Sequence, residues 1–240
     1  MKKLSVIIPA HNEASRIERT LVETDAFLEK QQYDYEIIVV NNASSDDTAG
    51  VVQKLADTTV QNARVVTEPT PGKGLAVKKG VAEAQGQYIM FMDADNATPV
   101  SEIDKFWPWL QQGYEVVIGD RYLDPTKRAK QPWYRTILSR GSNMLIQFVL
   151  VPHIHDTQAG FKAFNGEAAK KIFRQVSIGG WAFDMELLAI ALHMSYRIKA
   201  VSITREEHGG STVPATAFIQ SLRDLFIIKW RLMTGHYADK

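Results

Sequence analysis

Apolar residues in the first half of the chain gather into short runs, separated by segments with helical spacing. Leu4 to Ile8 is such a run, stopped by Pro9, and Glu36 to Val40 is a second. Short apolar runs rich in β-branched residues and bounded by turn formers read as strands buried on both faces. Between them, Glu13 to Lys30 sets Ile17, Leu21, Thr24 and Leu28 one helical turn apart. Asp46 to Ala56 predicts another helix, capped by Ser44 or Ser45. Arg64 to Thr67, Tyr88 to Met92 and Glu115 to Ile118 predict further strands, with helices over Lys73 to Ala84 and Ser101 to Gln112. Strands alternating with helices predict an α/β fold, a doubly wound and mostly parallel sheet in three α/β/α layers. Such sheets bind ligands beyond the carboxyl ends of their strands.

The second half is less regular. Arg121 to Arg135 holds Pro125, Pro132 and the basic residues Arg121, Lys127, Arg128, Lys130 and Arg135, and reads as a loop. Ile137 to Val151 and Phe183 to His193 predict helices, and Phe161 to Phe164 and Ile198 to Ile203 predict strands. Arg205 to Pro214 is a polar loop. Ala217 to Met233 is an amphipathic helix with Ile219, Leu222, Phe226, Trp230 and Met233 on one face. Ile137, Met144, Leu145 and Phe148 share a face of the earlier helix. Both stripes suit either a membrane surface or a protein core. No repeat or linker divides the chain, so residues 1–240 are expected to form one domain.

Composition narrows the function. With 240 residues, 45% of them hydrophobic, the chain can bury a single large core. A net charge of +1 argues against a nucleic-acid partner. The absence of cysteine excludes disulfides and thiolate chemistry. The longest apolar stretch, Met144 to Val151, falls far short of the roughly 20 residues that span a bilayer. A cytoplasmic protein is expected, either free or peripheral on the inner face of the membrane.

The candidate chemistry follows the strands. Pro9-Ala10-His11-Asn12-Glu13, Asn41-Asn42-Ala43-Ser44-Ser45-Asp46 and Asp93-Ala94-Asp95-Asn96 each succeed an apolar run, so the fold brings them to one crevice. Asp93 and Asp95 are two residues apart, which in an extended segment points both carboxylates the same way. Adjacent carboxylates repel unless a cation lies between them, and hard oxygen ligands suit Mg²⁺ or Mn²⁺. Gly72-Lys73-Gly74 precedes a helix. It reads either as a lysine and free backbone amides facing phosphate or as a plain glycine-containing loop. It lacks the spacing and hydroxyl residue of a P-loop.

These motifs resemble the signatures of inverting family 2 glycosyltransferases with the GT-A fold. Asp156-Thr157-Gln158-Ala159-Gly160-Phe161-Lys162 and Trp181-Ala182-Phe183-Asp184-Met185-Glu186-Leu187-Leu188 narrow the resemblance to the dolichyl-phosphate β-glucosyltransferases, and more loosely to the dolichyl-phosphate mannose synthases. Ala97 stands where mannose synthases often have Gln, which favours the glucosyl branch. The resemblance covers Leu4 to Gly235.

It implies a nucleotide-sugar pocket formed by Pro9, Ala10, His11 and Glu13, with Asn41 or Asn42 at the base, where relatives usually have Asp. Lys73 would approach the diphosphate, Asp93 would hold the nucleotide, and Asp95 with Asp93 would hold Mg²⁺ or Mn²⁺. Asp156 and Gln158 would lie near the sugar and metal. Asp184 is either a general base or a helix-start carboxylate. Arg121 and Arg135 would bind the acceptor phosphate. Residues 1–120 would form the nucleotide-sugar half and residues 121–240 the acceptor half. The implied reaction moves a hexose, glucose from UDP-glucose, to a polyprenyl phosphate on a membrane surface or presented by a membrane protein. The alternative is a family 2 enzyme acting on the hydroxyl of a soluble sugar or polysaccharide.

Overall fold

The computed structural model describes residues 2–124, 143–205 and 215–237. Strands β1 (Leu4–Ala10), β2 (Tyr35–Asn42), β3 (Ala63–Glu68), β4 (Tyr88–Phe91), β5 (Val116–Asp120), β6 (Lys162–Asn165) and β7 (Ile198–Ser202) form one sheet in the order β3-β2-β1-β4-β6-β5-β7. The predicted α/β sheet is present and mostly parallel. The exception is β6, antiparallel to both of its neighbours, β4 and β5. Helices α1 (Ile17–Leu28), α2 (Thr48–Thr58), α3 (Lys73–Glu83), α4 (Trp107–Gln111), α5 (described over 143–149), α6 (Gly166–Gln175), α7 (Phe183–His193) and α8 (Ala215–Met233) connect the strands.

The continuous apolar runs are explained by cover on both faces. Val6, Ile8, Ile37 and Val39 point to one side with Ile17, Leu21 and Val52, and Phe106 packs there too. Ile7, Ile38 and Val40 point to the other, against α3, α6 and α7. Pro9 follows the last β1–β4 pair, Ile7 with Phe91. Its missing N–H therefore falls where β4 no longer runs beside β1.

The observed elements depart from the predicted set in two places. Ser101 to Gln112 is not a single helix. A 3₁₀ turn over Val100–Lys105 precedes α4, because Pro108 at the start of α4 cannot donate the hydrogen bond that would continue a helix through it. Helix α6 is absent from the predicted set. Asn165 caps it by accepting from the Glu167 and Ala168 amides at 3.1 and 3.3 Å, and Ala168, Ala169, Ile172 and Phe173 bury its inner face. Ile137 and the loop from Glu206 to Pro214 lie outside the described residues.

Chain order places a switch point at β1. After β3 the chain returns to the other side of β1, so β1, β2 and β4 open a crevice at their carboxyl ends. Antiparallel β6 begins at that same end, since Lys162 pairs with both Phe91 and Ile118. Residues 156–161 are thereby delivered beside the segments that leave β4 and β5.

Helix α3 lies close on this part of the sheet. A methyl group on buried Gly80 would overlap the Ile7 side chain and lie 3.1 Å from that of Val40. Gly80→Ala gains about 1 kcal/mol of helix propensity, but the overlap costs about 1–3 kcal/mol. The variant is expected to have a lower urea midpoint than the parent with an unchanged slope; a raised midpoint would mean that α3 can move off β1 freely.

Candidate active site

Three turns leave the carboxyl ends of β1, β2 and β4, and each contains a residue at positive φ: Asn12 at 56°, Ala43 at 49° and Asn96 at 50°. Asparagine tolerates this region, whereas Ala43 is held there by its surroundings. Asn12 binds the first turn to the second. Its Oδ1 accepts from the Ser45 amide at 2.8 Å, and its own amide donates to Ser44 Oγ at 3.0 Å. The Glu13 amide donates to Thr48 Oγ1 at 2.9 Å, and the Glu13 carboxylate takes a forked pair from Arg16 at 2.8 and 3.0 Å. Burial raises the Glu13 pKa; Arg16 opposes the rise, and the charges of Asp95 and Asp46 add to it.

His11 is exposed, with Nδ1 2.6 Å from the Asn42 carbonyl oxygen. Asn42 is buried and fully engaged. Its Nδ2 donates to the Glu68 and Thr70 carbonyls at 3.1 and 2.7 Å, and its Oδ1 accepts from the Gly72 amide at 2.8 Å. Its side chain braces the loop before α3. Asn41 differs, because its Oδ1 is buried without a partner among the described residues.

The Gly72-Lys73-Gly74 loop departs from the reading of free amides facing phosphate. The Gly72 amide goes to Asn42 and the Gly74 amide to the Gly179 carbonyl at 2.8 Å. Lys73 remains the loop's polar group. Its Nζ lies 2.5 Å from Asp93 Oδ1 and 5.7 Å from the centroid of the Trp181 ring. Trp181 is 39% exposed, whereas Phe183 is core at 0%.

The β4 turn is held from α1. Thr20 Oγ1 donates to the Ala94 carbonyl at 2.6 Å and Asn96 Nδ2 donates to Glu23 at 2.6 Å. Asp95 Oδ1 accepts from the Ala97 amide at 3.0 Å, and Asp95 forms no ion pair among the described residues. The Asp93 carboxylate lies against Gly160, where any methyl group would overlap it. Burial pushes the Asp93 pKa up, but Lys73, Arg205 and Arg121 outweigh this and hold it below the usual carboxylate range.

Asp156 is buried at 1% exposure and is gripped by Arg121, whose amide donates at 3.0 Å, Nε at 2.7 Å and Nη2 at 2.8 Å. Gln158 is exposed in the same segment. Behind it, Lys162 Nζ donates to the Ala159 carbonyl at 2.6 Å and to Asp184 at 2.5 Å. Asp184 lies in the first turn of α7 with 3% exposure. Burial pushes its pKa up and pushes that of Lys162 down, each opposed by the partner's charge. The structure thus brings Asp93, Asp95, Lys73, Arg121, Asp156 and Asp184 into one electrostatic neighbourhood. Pro9, Ala10, His11, Glu13 and Asn41 lie along its β1–β2 edge. Arg135 lies outside the described residues.

Sequence reasoning gave no role to Lys162, Gly160, Thr20, Glu23 or Arg205. A lysine between Phe161 and Ala163 in a predicted buried strand was the available signal for Lys162, since a buried charge demands a partner.

Asp156 yields a pH prediction. Burial raises its pKa, but the Arg121 charge and hydrogen bonds overcome that and leave it below the usual range. The unfolded chain therefore takes up this proton first. The stabilisation is complete above the ordinary aspartate range and is lost as pH falls below about 4. Urea melts of the protein and of Asp156→Asn are expected to differ by about 3–5 kcal/mol at neutral pH, the cost of stranding Arg121, and to converge in acid. A constant difference down to pH 2 would remove Asp156 from the acid limb.

Residues 5–173 match the profile of Glycosyl transferase family 2. The human dolichyl-phosphate β-glucosyltransferase is 34% identical over 98% of this chain and 77% of its own length. The mouse protein of that name is 36% identical over 100% and 78%, and the Saccharomyces cerevisiae one is 31% identical over 98% and 77%. Among solved structures, glucosyl-3-phosphoglycerate synthase from Mycobacterium tuberculosis, in complex with Mn²⁺, UDP-glucose and phosphoglyceric acid, superposes with a TM-score of 0.68. It is 22% identical, over 96% of this chain and 79% of that one. The same enzyme with Mg²⁺ and UDP gives 0.65 at 22% identity, over 96% and 79%. At such identity the likeness concerns the GT-A fold. With its sheet, its crevice and its match to these relatives, the chain belongs to glycosyl transferase family 2, alongside the dolichyl-phosphate β-glucosyltransferases.

Proposed function

We propose that the protein transfers glucose, with inversion, from UDP-glucose to a polyprenyl phosphate. The observation that carries this reading is the meeting of the Asp93/Asp95 carboxylates with Lys73 and Arg121 at the switch point of the sheet. The names of the relatives supply the acceptor class and the sugar, and the ligands of the mycobacterial enzyme supply the donor.

In this reading residues 1–120 hold the donor. Asn41 Oδ1, a buried acceptor with no donor among the described residues, suits the imide N–H of uracil. Pro9, Ala10, His11 and Glu13 line the nucleoside, and Asn42 acts by holding the loop of Lys73. Lys73 meets the diphosphate and Asp93 keeps that ammonium in place. Asp95 fits a divalent cation: it forms no ion pair among the described residues, and its charge already bears on that of Glu13. Asp95 with Asp93 would hold Mg²⁺ or Mn²⁺, which would supply positive charge to the leaving diphosphate. Residues 121–240 take the acceptor. Arg121 has donors left after its fork to Asp156, and with Arg135 it would meet the acceptor phosphate. Gln158, exposed beside them, reaches the sugar.

A phosphate monoester has a second pKa of about 6, so the acceptor is already a dianion and needs no strong base. Asp184 then serves by holding Lys162. The alternative, a hydroxyl acceptor, requires a base in contact with it, and a carboxylate 3% exposed and paired with Lys162 is poorly placed for that task.

No helix among the described residues is long and apolar enough to cross a membrane. Phe226, Trp230 and Met233 are 59%, 64% and 76% exposed along one face of α8, with exposed Arg223 and Lys229 nearby. Met144 and Phe148 on α5 are 71% and 91% exposed. We assign these faces to a lipid surface, apolar side chains entering and cations meeting anionic headgroups. The side chains of residues 215–219, including Ile219, are not described.

Two outcomes are expected. Purified protein with UDP-glucose, polyprenyl phosphate and Mg²⁺ or Mn²⁺ forms a glucosyl phospholipid and releases UDP. Excess chelator or Asp95→Ala removes turnover by at least about a thousandfold, several kcal/mol of lost stabilisation. Transfer only to a free sugar hydroxyl would overturn the acceptor, and full turnover in chelator would overturn the metal. Separately, Phe226→Glu with Trp230→Glu should abolish cosedimentation with phosphatidylcholine–phosphatidylserine vesicles while the melting temperature stays unchanged; undiminished cosedimentation would place the membrane contact elsewhere.

A further inference from the structure

Glu186 lies in α7 with 0% exposure, on a different face from Asp184 and outside the site. Five donors converge on its carboxylate. The Ser177 and Ile178 amides donate at 2.9 and 2.7 Å, Ser177 Oγ and the Tyr237 hydroxyl each at 2.7 Å, and Arg231 Nη1 at 3.2 Å. Arg231 and Tyr237 belong to the end of α8 and the turn after it, while Ser177 and Ile178 belong to the strap that precedes α7. A buried carboxylate forces such convergence, because every unfilled acceptor position retains a desolvation cost.

The strap continues directly to Lys73. The Gly179 carbonyl accepts from the Gly74 amide at 2.8 Å. The two backbones touch, since a methyl on Gly72 would lie 2.5 Å from the Gly179 carbonyl oxygen and one on Gly74 2.6 Å from that of Ile178. Lys73 sits between those glycines, with its ammonium 2.5 Å from Asp93. A shift of the strap must therefore shift the loop that aims Lys73, because no side chain lies between them to absorb it.

We propose that Glu186 is a positioning residue for the donor site. It fixes the 177–179 strap, and through it Lys73, to the end of the C-terminal helix. The lysine proposed to meet the diphosphate and the helix proposed to rest on lipid are thus set by one carboxylate. This rests on the reading of Lys73 as a diphosphate ligand.

The test uses the full chain and UDP with Mg²⁺ as probe. Glu186→Gln keeps the shape but replaces one acceptor oxygen with an amide donor, so at least one strap or α8 donor loses its partner. Two changes are expected together. Hydrogen exchange at the Gly74 amide speeds up about tenfold while that of Val39 in β2 is unchanged, and the Kd for UDP rises about tenfold, the scale of one lost charged hydrogen bond. Arg231→Met, which touches no residue of the donor site, should move both readouts in the same direction by less, and it decides the matter if Glu186→Gln does not fold. A lowered melting temperature with Gly74 exchange and UDP affinity at parental values overturns the proposal. So does faster Gly74 exchange with unchanged UDP affinity. Parent protein that does not bind UDP overturns the donor-site reading itself, an outcome distinct from failure of the Glu186 link, in which the parent binds normally.

Discussion

Lys162 and Asp184 face each other at 2.5 Å with side chains 0% and 5% exposed. Removing either partner would strand a charge in the core at a cost of about 3–5 kcal/mol, a large part of the stability of an ordinary domain. That constraint ties the first turn of α7 to the first residue of β6. It therefore ties the β6 lead-in, Asp156 to Phe161, to the end of the sheet where β4 and β5 finish. Arg121 closes on Asp156 from β5, and Asp93 rests on Gly160 from β4. Asp93, Asp156 and Asp184 each have a cation supplied by a different stretch of chain, Lys73, Arg121 and Lys162, whereas Asp95 has none among the described residues.

The arrangement explains why so polar a cluster can sit at a sheet edge. Lys73, Arg121 and Lys162 come from three separate stretches of chain and converge only when the fold is complete. Their charges hold Asp93 and Asp156 ionised against burial. In the proposed reaction such a crevice meets the diphosphate with Lys73 already aimed by Asp93. The positive-φ residues after β1, β2 and β4 belong to the same economy of geometry: sharp turns bring short polar side chains back over the strand ends.

The sequence made the parallel half of the fold legible because strands buried on both faces leave short, largely apolar runs. It made Asp93, Asp95 and the β1 and β2 turns legible because polar residues gathered where those runs stopped. It did not disclose the direction of β6, since an antiparallel strand of four residues has the same pattern as a parallel one. Yet that direction is what carries Asp156 and Gln158 to the crevice. The resemblance of the Asp156 block to a family motif located the segment without explaining how it gets there. Asn41 and Asn42 are neighbours of one kind in sequence and opposites in structure, one an acceptor without a partner among the described residues and the other a brace, because adjacent residues of a strand face opposite ways. Helix α6 escaped because ten residues following a short strand offer little periodicity, and its clearest mark was the Asn165 cap.

The buried state of Asp184 bears on the choice of acceptor. A sugar hydroxyl has to lose its proton as it attacks, so an enzyme for such an acceptor keeps a carboxylate or imidazole in contact with the incoming oxygen. Here the carboxylate nearest to that role is spent on Lys162, Asp93 and Asp156 are committed to Lys73 and Arg121, and Asp95 suits a cation. A phosphate monoester removes the need, because its oxygen arrives already ionised. What it needs in return is positive charge to approach and fixed geometry to attack. In the proposed reaction Arg121 provides the first. The second comes from the ion pairs that join β4, β5, β6 and α7. Holding Asp184 in the core is costly for a general base and useful for a scaffold, and in the proposed reaction the scaffold is the part that the chemistry requires.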